Sequence, residues 1–168
     1  MSWRTSARVV LLDESGAVLL FRGSDPSLAD APRWWFTVGG AVEPGEALAQ
    51  AAAREVAEET GLRVAADALV GPLWRRQAVF EFDGAVIRSE ELFFVHRTAR
   101  FEPSIGGHTA LERRTIHGYR WCDETMIREL GAAGETVYPL QLGELLEEAN
   151  TLADARGDAL RKQLQTIR

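Results

Sequence analysis

Three carboxylates, Glu55, Glu58 and Glu59, crowd onto one turn of a predicted helix. At about 100° per residue, Glu55 and Glu59 lie roughly 40° apart with Glu58 beside them, so the three charges repel unless a cation neutralises them. A solvated acidic face is the ordinary reading of such a run. The neighbouring residues argue otherwise: Ala49, Ala52, Ala53, Val56 and Thr60 form an apolar stripe, and Glu55 and Glu59 fall at its edge. Carboxylate oxygens without thiolate or imidazole suit Mg²⁺, with Mn²⁺ able to substitute. Zinc is disfavoured, because His96, His108 and His117 are dispersed and Cys122 is a single cysteine.

The acidic turn belongs to a longer pattern. From Gly40 to Leu62 the chain reads GAVEPGEALAQAAAREVAEETGL: glycine, Glu46 six positions on, then Arg54-Glu55-Val56, Glu58-Glu59 and Gly61-Leu62. This resembles the Nudix box of the Nudix hydrolases at every defined position. One residue outside the box departs from the family's habit, since Val38 stands where such proteins commonly place a proline before two glycines. Valine suits a strand end, and activity is not expected to be lost.

The resemblance implies roles for particular side chains. Glu55 and Glu59 are the implied metal ligands, Glu58 a ligand or a base, and the Gly39 carbonyl a further oxygen donor. Arg54 orients a neighbouring glutamate, and Glu46 braces the loop, its plainer reading being a first-turn acid favoured by the helix dipole. Gly39 and Gly40 allow close backbone approach, and Gly61 suits a left-handed helix cap. In this family the base is a signature glutamate or one from a later loop, which makes Glu112, after Gly106-Gly107, a candidate. Arg22 ends the second strand, where similar proteins often touch phosphate. Trp34 and Trp35, beside the glycine loop, offer a stacking surface for a base, although tryptophans in strands more often belong to the core. Glu91 faces either a cleft or a cross-strand partner, Arg75 or Arg76.

The implied activity is Mg²⁺-dependent hydrolysis of a nucleoside diphosphate linked to another moiety: a nucleoside triphosphate, a sugar nucleotide or a dinucleoside polyphosphate. The alternative is a catalytically inactive nucleotide-sensing module that retains the fold, against which the intact glutamates argue. An isomerase of isoprenyl diphosphates is disfavoured because no cysteine precedes the box.

These side chains need a scaffold, and the pattern of the chain supplies one. Ala7–Leu12 and Ala17–Phe21 read as strands around the turn Asp13-Glu14-Ser15-Gly16, and Trp34–Val38 runs as a strand into Gly39-Gly40. The box helix is predicted from near Glu46 to Gly61, with a return strand starting at Leu62. Residues 68–82 and 85–97 form a hairpin about Asp83-Gly84. Residues 101–110 read as a mobile loop, 115–121 as a strand, and 124–130 as a helix. Residues 140–165 carry helical periodicity interrupted near Gly157, which predicts a continuing helix or a helix with a ragged tail. The fold class is therefore α/β, and the resemblance makes it a Nudix-type α/β/α sandwich with a mixed sheet.

A chain of 168 residues, 46% hydrophobic and 26% charged, can bury one sizeable core. The expectation is a single domain over 1–168, with a core of about 7–146 and a C-terminal helix or tail over 147–168. A net charge of −6 argues against a nucleic-acid polymer or an anionic membrane as partner, and it requires a cation between the acidic helix and a phosphate substrate. No apolar run approaches membrane-spanning length and no secretory segment is visible, so a cytoplasmic location is expected. A small nucleotide is the expected partner, and a homodimer is compatible with what similar proteins form.

Overall fold

The computed structural model describes residues 3–155 and 164–168. Among these, eight strands join one mixed sheet: β1 (Arg4–Leu12), β2 (Val18–Gly23), β3 (Trp34–Ala41), β4 (Val70–Phe82), β5 (Ala85–Arg97), β6 (Ile116–Cys122), β7 (Thr136–Tyr138) and β8 (Gln165–Thr166). The order along the sheet is β6-β2-β3-β1-β5-β4-β8, with β7 added beside β3. The helices are α1 (Leu48–Thr60), α2 (Ala110–Thr115), α3 (Glu124–Ala132) and α4 (Leu142–Asp154).

β1 explains the layering. Successive residues of a strand point to opposite faces, and both faces of β1 are apolar, so it must be covered on both sides. Ala7, Val9 and Leu11 pack with Ala51, Ala52 and Val56 of α1. Val10 and Leu12 pack with Ile127 and Leu130 of α3 and Leu142, Leu145 and Leu146 of α4. Full burial of Val56 alone contributes about 2 kcal/mol. The result is a helix-sheet-helix sandwich, in agreement with the α/β expectation.

The turn after β1 forms as its residues suggest. Asp13 Oδ1 accepts hydrogen bonds from Ser15 N (2.8 Å), Ser15 Oγ (2.7 Å) and Ala17 N (3.0 Å). The two strands then diverge, and Leu12 opposite Val18 is their single register pair, because β3 enters between them. The N-terminal half of β3 pairs with β2 and β7, and its C-terminal half pairs with β1. The β4–β5 hairpin does form a long ladder, closed by Asp83 (φ 50°) and Gly84 (φ 79°). Two successive positive φ values match the primed turn that the Asp-Gly pair favours.

Several boundaries differ from the sequence reading. α1 starts at Leu48 rather than near Glu46, because Gly45 at φ 78° turns the chain and Glu46 N closes that turn on Glu43 O at 3.0 Å. No strand starts at Leu62; Leu62 and Val64 pack against the α1-side core, and a single 3₁₀ turn, Ala66–Ala68, leads into β4. The C-terminal segment ends in β8, with Ile167 buried in the core on the α3–α4 side and its N–H bonded to Arg75 O at 2.9 Å. The expected interruption near Gly157 lies outside the described residues. No described helix is long and apolar enough to cross a membrane.

Candidate active site

The site is built around α1. Its buried face is not the expected stripe with carboxylates at the edge: the buried residues are Ala51, Ala52, Glu55, Val56, Glu59 and Thr60. Glu55 and Glu59 therefore lie inside the buried arc, at 8% and 3% exposure. Glu58 lies roughly 60° around the helix from Glu55 on the side away from Glu59, and its side chain is 42% exposed.

The carboxylates that converge are Glu55, Glu59 and Glu112, whose nearest oxygens all lie within 4.8 Å of one another. The sequence grouping of Glu55, Glu58 and Glu59 is corrected accordingly, because helical rotation turns Glu58 toward the rim. Burial pushes the Glu59 carboxyl well above the ordinary range, opposed by Arg8 and reinforced by Glu55 and Glu112. Burial likewise raises Glu55, against the pull of Arg54. Glu59 Oε2 is buried without a hydrogen-bond partner. A buried carboxylate that has one unpartnered oxygen and is grouped with two further acids has the character of a cation site.

Arg54 organises the rim. Its Nε and Nη2 donate to Glu46 Oε2 (2.8 Å) and Oε1 (2.9 Å), and Nη1 donates to Glu55 Oε1 (3.0 Å) and Glu58 Oε2 (3.2 Å). A further bond from Nη2 reaches Ala41 O at 3.0 Å. The forked guanidinium thus ties the box loop, α1 and the end of β3 together. Hydrogen bonding to Arg54 holds the Glu46 carboxyl down to about 2. Glu46 lies in the loop before α1, where its Oε1 also accepts from Glu43 N at 3.0 Å.

The glycines make room. A Cβ on Gly40 would stand 2.7 Å from Glu55 Oε1, and one on Gly39 would stand 2.2 Å from Ala7 O. Gly39 also has φ +146°, a conformation side chains rarely adopt. Its carbonyl accepts from Arg8 Nη1 at 3.0 Å, which leaves a second lone pair. Val38, in the place of the customary proline, is fully buried and pairs with Val9. Gly61 caps α1 at φ 81°, with its N–H bonded to Ala57 O.

The segment expected to be a mobile loop is pinned to the C-terminal end of α1. Ser104 N donates to Thr60 O (2.9 Å), and His108 Nε2 lies 2.8 Å from Glu59 O. A Cβ on Gly107 would meet Glu58 O at 2.5 Å. This docking carries Glu112 to the α1 carboxylates. Thr109 and Glu112 form a reciprocal capping box at the start of α2, with Glu112 N to Thr109 Oγ1 at 3.1 Å and Thr109 N to Glu112 Oε1 at 2.9 Å. Sequence reasoning missed Gly107 and His108 as part of the site, and the Thr-x-x-Glu signature was the available signal for α2.

The other candidates lie apart from the carboxylates. Trp35 is 5% exposed and packs in the core shared with α3 and α4, so the expected stacking surface is replaced by a core tryptophan. Its Nε1 donates to Glu135 Oε1 (3.1 Å), and Arg22 Nε donates to the same oxygen (2.7 Å). Trp35 and Gly39 are four residues apart on β3, roughly 13 Å along the strand. Arg22 sits opposite Trp35 in the β2–β3 ladder and is not brought to the α1 carboxylates. Glu91 pairs with both Arg76 and Arg8.

Similarity to known proteins agrees with this geometry. A Bacillus subtilis (strain 168) relative that carries the name of an 8-oxo-dGTP diphosphatase is 43% identical over 65 residues, 39% of this chain. The match spans 40% of that relative's length. The crystal structure of a MutT protein from Methanosarcina mazei Go1 superposes with a TM-score of 0.57 at 25% identity, covering 91% of this chain and 96% of that one. The E. coli dihydroneopterin triphosphate pyrophosphohydrolase shares the fold, with a TM-score of 0.54 at 24% identity over 92% of this chain and 100% of its own. The NUDIX domain profile matches residues 2–141, which is most of the chain and includes every carboxylate of the site; the chain belongs to the NUDIX family.

Proposed function

We propose that the chain is a Mg²⁺-dependent pyrophosphohydrolase that cleaves a nucleoside diphosphate linked to another moiety. The observation that carries this reading is the convergence of Glu55, Glu59 and Glu112, together with a buried, unpartnered oxygen on Glu59. Three hard oxygen donors, without sulfur or imidazole, fit Mg²⁺ and accept Mn²⁺. When bound there, the cation supplies charge neutralisation for a pyrophosphate and lowers the pKa of water.

The chain's own residues supply the rest. Glu55, Glu59 and Glu112 hold the cation, with the Gly39 carbonyl as a further oxygen donor. Arg54 fixes Glu55 in one rotamer and keeps Glu46 on the box loop. Glu58, exposed at the rim and bonded to Arg54, accepts the proton of the attacking water. Arg22 would reach a phosphate only by exchanging its bond to Glu135.

A nucleoside triphosphate is the first substrate class to test, since the Bacillus subtilis relative is named for one. The purified protein is offered nucleoside triphosphates with intact and oxidised bases, sugar nucleotides and dinucleoside polyphosphates, each with Mg²⁺ and with Mn²⁺. Turnover that yields a nucleoside monophosphate and disappears in Glu59→Gln supports the reading. Absence of turnover across the panel with both cations overturns it.

A further inference from the structure

We propose that Arg8 is a positioning residue for this reaction: its guanidinium ties the Gly39 carbonyl to Glu91 and thereby sets the Gly39-Gly40 segment of β3 against which Glu55 is seated. The inference rests on the metal-dependent reading above.

Arg8 interrupts the apolar run of β1, in line with Val10 and Leu12, and its side chain is only 15% exposed. A buried arginine in such a place needs partners, and it has three. Nε donates to Glu91 Oε2 at 2.8 Å, and Nη1 donates to Thr37 O at 3.2 Å and Gly39 O at 3.0 Å. The planar fork lets one side chain address a carboxylate and two carbonyls at once, which an ammonium on a flexible stem does not do.

The contact bears on the site through direct packing. Arg8 stands opposite Gly39 in the β1–β3 ladder, and Ala7 stands opposite Gly40. Gly39 lies so close to β1 that any Cβ would collide with Ala7 O and Arg8 Cα. Gly40 in turn touches the Glu55 carboxylate with no room for a methyl group. A displacement of this segment of β3 is therefore passed to Glu55 without an intervening side chain.

Arg76 provides a matched control. It also pairs with Glu91, its side chain is 13% exposed, and it stacks 5.1 Å from the Tyr138 ring centroid. Of the two arginines, however, only Arg8 donates to the Gly39 carbonyl. Removing either arginine leaves Glu91 with one partner, so neither change strands a buried acid.

The test compares Arg8→Gln, Arg8→Lys and Arg76→Gln, measuring Mn²⁺ binding by titration calorimetry without substrate and Tm in metal-free buffer. Both glutamine variants are expected to lower Tm by similar amounts. Arg8→Gln is expected to weaken Mn²⁺ binding by about tenfold or more, as loss of a residue supporting a metal ligand does, while Arg76→Gln binds like the wild type. Arg8→Lys should recover Tm more fully than Mn²⁺ affinity, because it restores the charge and not the fork. Equal effects of the two glutamine variants on Mn²⁺ affinity, or wild-type affinity in Arg8→Gln, would overturn the inference alone. Failure of the wild type to bind Mn²⁺ overturns this inference and the proposed function together.

Discussion

Glu59 is the residue in which stability and function oppose each other most clearly. Its Oε2 is buried without a partner, and two further carboxylates approach the Glu59 side chain. Glu59→Gln removes that repulsion, so in metal-free buffer its Tm should equal or exceed that of the wild type while turnover is lost; a lower Tm would count against the cation-site reading. Glu58 and Glu112 separate by the same logic. Glu58→Gln should keep Mn²⁺ affinity and lose turnover, whereas Glu112→Gln should weaken Mn²⁺ binding itself, and calorimetry beside a rate assay distinguishes the two. Glu46 has a pH signature of its own. Its folded pKa, about 2, lies below its ordinary value of 4.5, so its stabilising contribution is complete above about pH 4.5 and is lost as pH falls toward 2. Glu46→Gln should flatten the acid limb of the stability curve in that window, as followed by thermal melts at a series of pH values.

Among the elements, the loop between β5 and α2 decides whether the site is complete. It docks through Ser104, Gly107 and His108 onto the end of α1, and Glu112 follows at the start of α2. Gly107→Ala would place a methyl carbon 2.5 Å from Glu58 O and should undock the loop, lowering turnover and Mn²⁺ affinity. Gly106→Ala, whose added carbon has Ser104 Oγ at 3.5 Å as its nearest neighbour, should leave both unchanged. Hydrogen exchange at the Ser104 and His108 amides, faster in the first variant and not in the second, checks the mechanism.

In the whole molecule, the two cores on either face of the sheet carry different duties. The α1 side holds the helix that presents the carboxylates, and the α3–α4 side holds the tail through Ile167. Arg168 N and O bond to Gln141 Oε1 (2.7 Å) and N (3.2 Å), joining the tail to the start of α4. Ile167→Ala should cost about 2 kcal/mol, the lower end for such a truncation, and leave the Mg²⁺ dependence of turnover unaltered. A denaturant melt and a Mg²⁺ titration of the rate test the two halves of that statement.

The sequence by itself determined the elements whose causes are local. α1, the Gly61 cap and the Asp83-Gly84 turn follow from helical periodicity and from glycine's access to positive φ. Tertiary structure decided what depends on residues distant in the chain. Glu112 joins Glu55 and Glu59 only because the intervening hairpin and loop return to α1, and Arg8 meets Glu91 across 83 positions. Trp35 and Arg22 are assigned to the opposite face by the alternation of strands whose pairing the local pattern does not specify. β7 and β8, of three and two residues, exist because β3 and β4 offer them unpaired edges. Such short segments carry no periodicity of their own: their hydrogen bonds, like the grouping of the carboxylates, are properties of the assembled sheet.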